Sequence, residues 1–263
     1  MVELTAGLSL LLGAIVFSFG AVFGSFANVV IHRLPRGESV AFPGSHCPNC
    51  GRSIAWFENV PLLSYVALRA RCRGCCKPIS IRYPAVEALT GAACVATAFQ
   101  IGLKPELPAF LTFVVTLIIL SAIDLEHRRI PNKILGPASV AAAVLLAGAA
   151  VISGAPGLLV RVALGALAYG VPMLLIALAA PSGMGMGDVK LAAYLGGHLA
   201  WFSMAHVAVG AFLGFFLGSF VGLLLIALGR KSRKDGIPFG PSMAAGAGAA
   251  LLLGAPILKL WLG

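Results

Sequence analysis

Continuous apolar stretches constrain this chain more than any other feature. The first runs from Leu4 to Ile31, and seven more follow at about 85–103, 107–123, 134–153, 158–181, 189–201, 203–229 and 240–262. About 20 apolar residues cross a bilayer as a helix. Inside hydrocarbon every backbone N–H and C=O must find a partner within the protein, which leaves helices and closed barrels. A transmembrane barrel alternates apolar and polar residues over short strands. These runs do not alternate, so the expected fold is an all-α polytopic membrane protein with about eight transmembrane helices. The chain is 59% hydrophobic and 11% charged, against about 25% charged in soluble domains. The first stretch follows Met-Val-Glu, has no basic n-region and exceeds a signal-peptide core, so it is expected to be a retained helix. The weakest span is 189–201, which is short for a crossing.

The net charge of +10 follows from loops. Residues 32 to 84 carry eight Lys or Arg, residues 124 to 134 carry Arg128, Arg129 and Lys133, and residues 229 to 235 carry four. Cytoplasmic loops collect Lys and Arg, so this distribution reads as membrane topology with no nucleic-acid partner. It places loop 32–84 in the cytoplasm and both termini outside. The loops at 124–134, 182–188 and 229–239 are then also cytoplasmic, the last only if 189–201 crosses. The expected organisation is a first helix at 1–31, a cytoplasmic zinc-binding loop at 32–84 and a transmembrane core at 85–263. No internal repeat stands out.

The loop after the first helix holds Cys47, Cys50, Cys72 and Cys75 in two C-x2-C pairs, "CPNC" and "CRGC". This is close to zinc-ribbon spacing. Four thiolates fill a tetrahedral zinc site and leave no open position, which makes it structural. Disulfides and redox chemistry are the rivals. Stable disulfides are disfavoured in a cytoplasmic loop, and a redox motif needs one pair only. Cys76, adjacent to Cys75, competes as the fourth ligand. Cys94 lies in a span and reads as a small apolar residue. A loop of this size has little core, so metal binding would supply folding free energy.

Two of the three aspartates, Asp124 and Asp188, sit at span boundaries on the cytoplasmic side. Taken singly, each reads equally as a helix-capping or interfacial acid. Taken together, if they meet, they cannot both ionise cheaply. One ionised and one protonated carboxyl can run acid–base hydrolysis, the first taking a proton from water and the second polarising a scissile carbonyl. Asp188 ends "GMGMGD", whose glycines would let an extended substrate backbone approach. Lys190 either snorkels to the interface or tunes the pair. Asp235 lies in a solvated charge run.

"GxGD" with a second boundary aspartate resembles the GxGD aspartic proteases. "GSFANVVIHRLP" (24–35), "ISIRYPAVE" (79–87), "IPFGPSM" (237–243), the two C-x2-C pairs and "GMGMGDVKLAAYLGG" together resemble the bacterial type IV prepilin peptidases along nearly the whole chain. The resemblance implies two activities. One is cleavage of the basic leader from type IV prepilins and type II secretion pseudopilins at the cytoplasmic face of the bacterial inner membrane. The other is N-methylation of the new N-terminal residue with S-adenosylmethionine. It implies Asp124 and Asp188 as the catalytic pair, Gly185 and Gly187 as motif glycines, Cys47, Cys50, Cys72 and Cys75 as zinc ligands, and Glu87 and Gly91 in methylation. Ile130-Pro131-Asn132 departs from the family's usual Leu-Pro-Asp. Two other classes compete: a transporter that binds a cation at the aspartates, and a structural scaffold.

Overall fold

The structure is a computed structural model that describes residues 6–180, 184–230, 236 and 238–262. The basic run 231–234 with Asp235, Ile237 of "IPFGPSM", Gly183 of "GMGMGD" and the first five residues lie outside the described residues. The described chain is helical, with two isolated antiparallel bridges and no named strand. It divides into two compact units, Met1–Phe99 and Gln100–Gly263.

The first unit holds α1 (Ala6–Arg33), a short α2 (Leu63–Ala67) and α3 (Arg82–Ile101). Gly20 and Gly24 stand one turn apart on α1. A Cβ on Gly20 would lie 2.9 Å from the Cα of Gly91, and one on Gly24 would lie 2.8 Å from the Cα of Glu87. Small residues at such a seam let two membrane helices come close enough for backbone packing. Asn28 closes one end of the seam. Its amide donates to the carbonyls of Gly24 and Tyr83 at 3.3 and 3.1 Å. The buried Arg33 anchors the loop that follows by donating to the carbonyls of Ser39, Pro43 and Gly44.

The second unit holds α4 (Leu107–His127), α5 (Asn132–Ile152), α6 (Gly157–Ala179), α7 (Met186–Ala200), α8 (Met204–Ala227) and α9 (Gly240–Leu262). α7 is its centre and is buried almost throughout from Leu191 to Ala200. The backbones of Gly165 on α6 and Gly196 on α7 touch, and Gly214 on α8 meets Gly246 on α9. On the α4 side, His198 stacks on Phe113 at 4.3 Å between ring centroids. Outward-facing residues such as Val140, Val144, Leu164, Leu167, Phe212 and Phe216 remain exposed. Such an apolar exterior is the surface a helix bundle presents to lipid.

Among the described residues, six helices are long and apolar enough to cross a membrane: α1, α3, α4, α5, α6 and α8. The apolar described part of α9 is Gly240–Gly254. α7 has 15 residues and is therefore roughly 22 Å long, short of the ~30 Å hydrocarbon layer. The eight expected spans thus coincide with eight helices, six of which meet the length and apolarity of a crossing.

Two boundaries shift at the aspartates. The expected span 107–123 continues for a further turn to His127, because nothing in Leu125-Glu126-His127 breaks a helix. It stops at Arg128, whose left-handed backbone (φ 51°) directs its N–H to the Asp124 carbonyl at 2.8 Å. The expected start at 189 moves back to Met186, so Asp188 lies within the first turn of α7.

Candidate active site and metal centre

Three helix ends meet around Asp124. Its side chain leaves the last turn of α4 and is 4% exposed. Its Oδ2 accepts a 3.0 Å hydrogen bond from the backbone N–H of Gly240, the first residue of α9. A helix N-terminus offers unpaired N–H groups and a positive partial charge, so α9 supplies a donor for this carboxyl. Glycine is needed there for space, since a Cβ would lie 2.8 Å from Oδ2.

Asp188 stands in the first turn of α7. The N–H of Gly185 donates to its Oδ2 at 3.3 Å, and the Asp188 N–H donates to the Gly185 carbonyl at 3.0 Å. This reciprocal cap favours an acid in the first turn and explains why the helix opens at Met186. Asp188 is half-buried, and its carboxyl lies within electrostatic reach of Asp124. The two aspartates that the sequence separates by 64 residues are therefore within electrostatic reach of each other.

The segment after α4 fixes the relative position of the two helix ends. Ile130 packs on Gly187, where a Cβ would lie 3.0 Å from the Ile130 Cβ. The Asn132 Oδ1 accepts from the Lys190 ammonium at 3.0 Å. Of the two expected roles for Lys190, the contact it makes is with the α5 N-terminus. Gly185 is exposed, with only its own turn and Asp188 nearby. Ile130 and Asn132 thus contact α7 from the segment that joins α4 to α5.

Two further groups at this site were not singled out from the sequence. Gly240 lies within "IPFGPSM", and a backbone donor has no residue-type signal. Tyr169 on α6 is buried, its hydroxyl has no hydrogen-bond partner among the described residues, and it lies within the electrostatic reach of Asp188. An isolated Tyr in an apolar helix carries no such signal either.

In the first unit, the Sγ atoms of Cys47, Cys50, Cys72 and Cys75 all lie within 4.8 Å of one another, and those of Cys47 and Cys75 are 3.9 Å apart. Tetrahedral zinc with Zn–S near 2.3 Å places its sulfurs about 3.8 Å apart, so this donor set fits a structural zinc ion. The thiols are electrostatically unequal. Backbone N–H groups of Cys75 and Gly74 bring Cys72 down to about 6. The Lys77 N–H acts the same way on Cys75, but burial and the neighbouring thiols raise it to about 11. A divalent cation is what would let all four ionise together.

The two C-x2-C turns are one structural unit used twice, at an offset of 25 residues, which the sequence reading missed. His46 bridges Ser53 as Arg71 bridges Pro78. The N–H of Cys47 bonds the Arg52 carbonyl as that of Cys72 bonds the Lys77 carbonyl, both at 2.9 Å. Ile54 donates to Ser45 as Ile79 donates to Ala70. In this register Cys76 corresponds to Gly51, and both are left-handed, at φ 57° and 70°. Cys76 is exposed and outside the sulfur cluster. It is a turn residue and not the fourth member of the cluster.

Glu58 links the two turns to each other. Arg52 donates to both of its carboxylate oxygens at 3.0 Å, Arg73 to one at 3.4 Å, and the Ala55 N–H to the other at 3.2 Å. The Arg52 guanidinium holds the Glu58 carboxyl below the usual carboxylate range. Glu87 accepts a 2.8 Å hydrogen bond from the Leu62 N–H. Gly91 faces the ring of Phe17, 2.8 Å from where a Cβ would stand. Both therefore hold α1, α3 and the intervening loop together.

An all-helical membrane bundle with one buried and one half-buried aspartate in mutual electrostatic reach defines the class: a polytopic membrane protein with two neighbouring carboxyls at the ends of its helices. The comparisons narrow that class. Residues 18–101 match the model of the bacterial peptidase A24 N-terminal domain, and residues 111–228 match that of the type IV leader peptidase family. The prepilin leader peptidase/N-methyltransferase of Aeromonas hydrophila is 35% identical, over 100% of this chain and 98% of that protein. The one of Bacillus subtilis (strain 168) is 32% identical over 95% and 97%. The one of Myxococcus xanthus (strain DK1622) is 39% identical over 85% of this chain and 66% of its own length. No solved structure matches the chain. The chain belongs to the type IV leader peptidase family.

Proposed function

We propose that this chain cleaves the basic leader from type IV prepilins and type II secretion pseudopilins at the cytoplasmic membrane face, and methylates the exposed N-terminus. The observation that carries the peptidase half is the convergence of Asp124 and Asp188 from the C-terminal end of α4 and the N-terminal end of α7. Two carboxyls in mutual reach favour sharing one proton. The ionised member takes a proton from the attacking water. The protonated member donates a hydrogen bond to the scissile carbonyl and then holds its proton for the leaving amine. The Gly240 N–H keeps Asp124 oriented throughout. Exposed Gly185 leaves Asp188 open on the side from which a peptide would approach.

The helix ends are also the right place for this substrate. A prepilin leader joins an apolar helix at the cytoplasmic surface, so a pair at that depth reaches the junction without unwinding a helix in mid-bilayer. The proposed setting is the bacterial inner membrane, with both termini outside. Cys47, Cys50, Cys72 and Cys75 would hold a zinc ion, which supplies folding free energy to a loop with little core. S-adenosylmethionine is the methyl donor expected of such an enzyme. Glu87 and Gly91 enter the methylation half as supports of the α1–α3 packing, since Leu62 and Phe17 already occupy them.

The test is incubation of the protein, in its membrane, with a prepilin and S-adenosylmethionine, followed by mass spectrometry of the product. A shortened pilin that has gained one methyl group on its new N-terminus is expected. An unshortened pilin overturns the reading. A shortened but unmethylated pilin overturns its second half.

A further inference from the structure

Between the two cysteine turns the loop carries an apolar surface that the peptidase chemistry does not use. Trp56 is 82% exposed, Phe57 50%, Leu63 70% and Val66 74%. These residues occupy a 3-10 turn (Trp56–Asn59) and α2, and their inward side is held by buried Ser64, whose hydroxyl donates to the Phe57 carbonyl at 3.0 Å. The segment is thus a formed element with an apolar outer side. The exposed Arg69 and Arg71 follow directly.

One hydrogen bond ties this element to a helix long and apolar enough to cross a membrane. The Leu62 N–H, immediately before α2, donates to the Glu87 carboxylate at 2.8 Å. Glu87 is in the second turn of α3, a helix long and apolar enough to cross a membrane from Arg82 onward. A partner of Glu87 must therefore sit at the depth where α3 enters the membrane. Trp and Phe favour that layer, where apolar rings meet headgroups, and neighbouring arginines meet anionic lipid there. We propose that residues 56–71 form an interfacial element whose Trp56, Phe57, Leu63 and Val66 lie in the headgroup layer of an anionic bilayer, with Arg69 and Arg71 on lipid phosphates. This holds the cysteine turns against the membrane, since Arg71 directly precedes Cys72.

The test uses the full chain in vesicles of phosphatidylcholine with or without phosphatidylglycerol. Trp56 fluorescence is isolated as the difference between the protein and its Trp56→Phe variant. Lipids brominated near the headgroup are expected to quench at least half of that difference signal, with acrylamide quenching weak. Phosphatidylglycerol is expected to increase the lipid quenching, and Arg69→Gln/Arg71→Gln to remove that increase. Strong acrylamide quenching with no effect of brominated lipid overturns the proposal. So does shielding of Trp56 that appears only when a prepilin is added, because the surface would then serve a protein partner. Leader cleavage, followed in the same vesicles, separates failure of this proposal from failure of the peptidase assignment.

Discussion

The backbone N–H of Gly240 donates a 3.0 Å hydrogen bond to Oδ2 of Asp124, across 116 residues of chain. One helix begins where another ends, and the N–H that opens the first is directed at a carboxyl in the last turn of the second. A carboxyl buried in an apolar bundle needs such a donor. The space is just sufficient, because a methyl group on residue 240 would lie within 2.8 Å of the oxygen.

Gly240→Ala is therefore expected to move Asp124 without removing it. Leader cleavage should fall roughly tenfold or more, the rate equivalent of about 1.4 kcal/mol in the transition state. The variant should still insert into membranes. Cleavage kinetics in detergent or vesicles check this, and an unchanged rate would show that the contact does not orient the carboxyl.

On the proposed mechanism, Asp124→Asn and Asp188→Asn each remove one half of the proton exchange while keeping shape. Either is expected to lower cleavage by about a thousandfold or more, and the double variant should be little worse than either single one, because groups that act as a unit are not additive. The measurement is the cleavage rate of all three variants. Additive losses would mean that the two residues act independently.

The helices were legible because bilayer thickness and backbone satisfaction leave few choices for a long apolar run. What stayed hidden depends on contacts that residue type does not report. The register of Ile130 on Gly187, the backbone donor at Gly240 and the unpartnered hydroxyl of Tyr169 are consequences of packing. The 25-residue repeat of the cysteine turns was obscured because identity survives at only Cys47/Cys72, Cys50/Cys75 and Ile54/Ile79. Its backbone hydrogen bonds repeat all the same. The span ends at 123 and 189 were misplaced by three or four residues because an acid was taken to mark the end of a helix. Here each acid is partnered inside one.

Arg161 is a second place where a side chain closes a helix end. Its Nε donates to the Ala200 carbonyl at 2.7 Å, and an Nη donates to the Trp201 carbonyl. α7 is short, so its last carbonyls end within the protein with no solvent assured. Arg161→Ala is expected to destabilise the bundle by about 1–3 kcal/mol, the cost of leaving buried acceptors unpaired. Thermal unfolding of the purified protein checks it, and Arg161→Lys should restore only part of the loss, since one ammonium cannot reproduce the guanidinium fork.

Glu58 makes the loop acid-sensitive in a defined direction. Arg52 holds its carboxyl below the ordinary range, so its contribution is present above the unfolded carboxylate value of about 4.3 and is lost as pH falls through the lower folded value. Protease resistance of the loop, compared between the protein and Glu58→Gln, should differ at pH 7. The difference should shrink once the pH drops below about 4. A difference that does not change with pH would assign Glu58 a packing role and no ionic one.

Cys76 supplies the sharpest test of whether the four-cysteine cluster holds a metal, because its neighbour Cys75 differs from it only in register. Cys75 belongs to the sulfur cluster, whereas Cys76 occupies the left-handed turn position that glycine takes as Gly51 in the other half. Cys75→Ser is expected to lower zinc content and to open the loop to proteolysis. Cys76→Gly should leave zinc content unchanged and stabilise the loop by about 1 kcal/mol, since a left-handed backbone strains any residue with a Cβ. Metal analysis and limited proteolysis of the two variants measure both effects. Zinc lost from the Cys76 variant and kept by the Cys75 variant would exchange their roles and overturn the two-turn register.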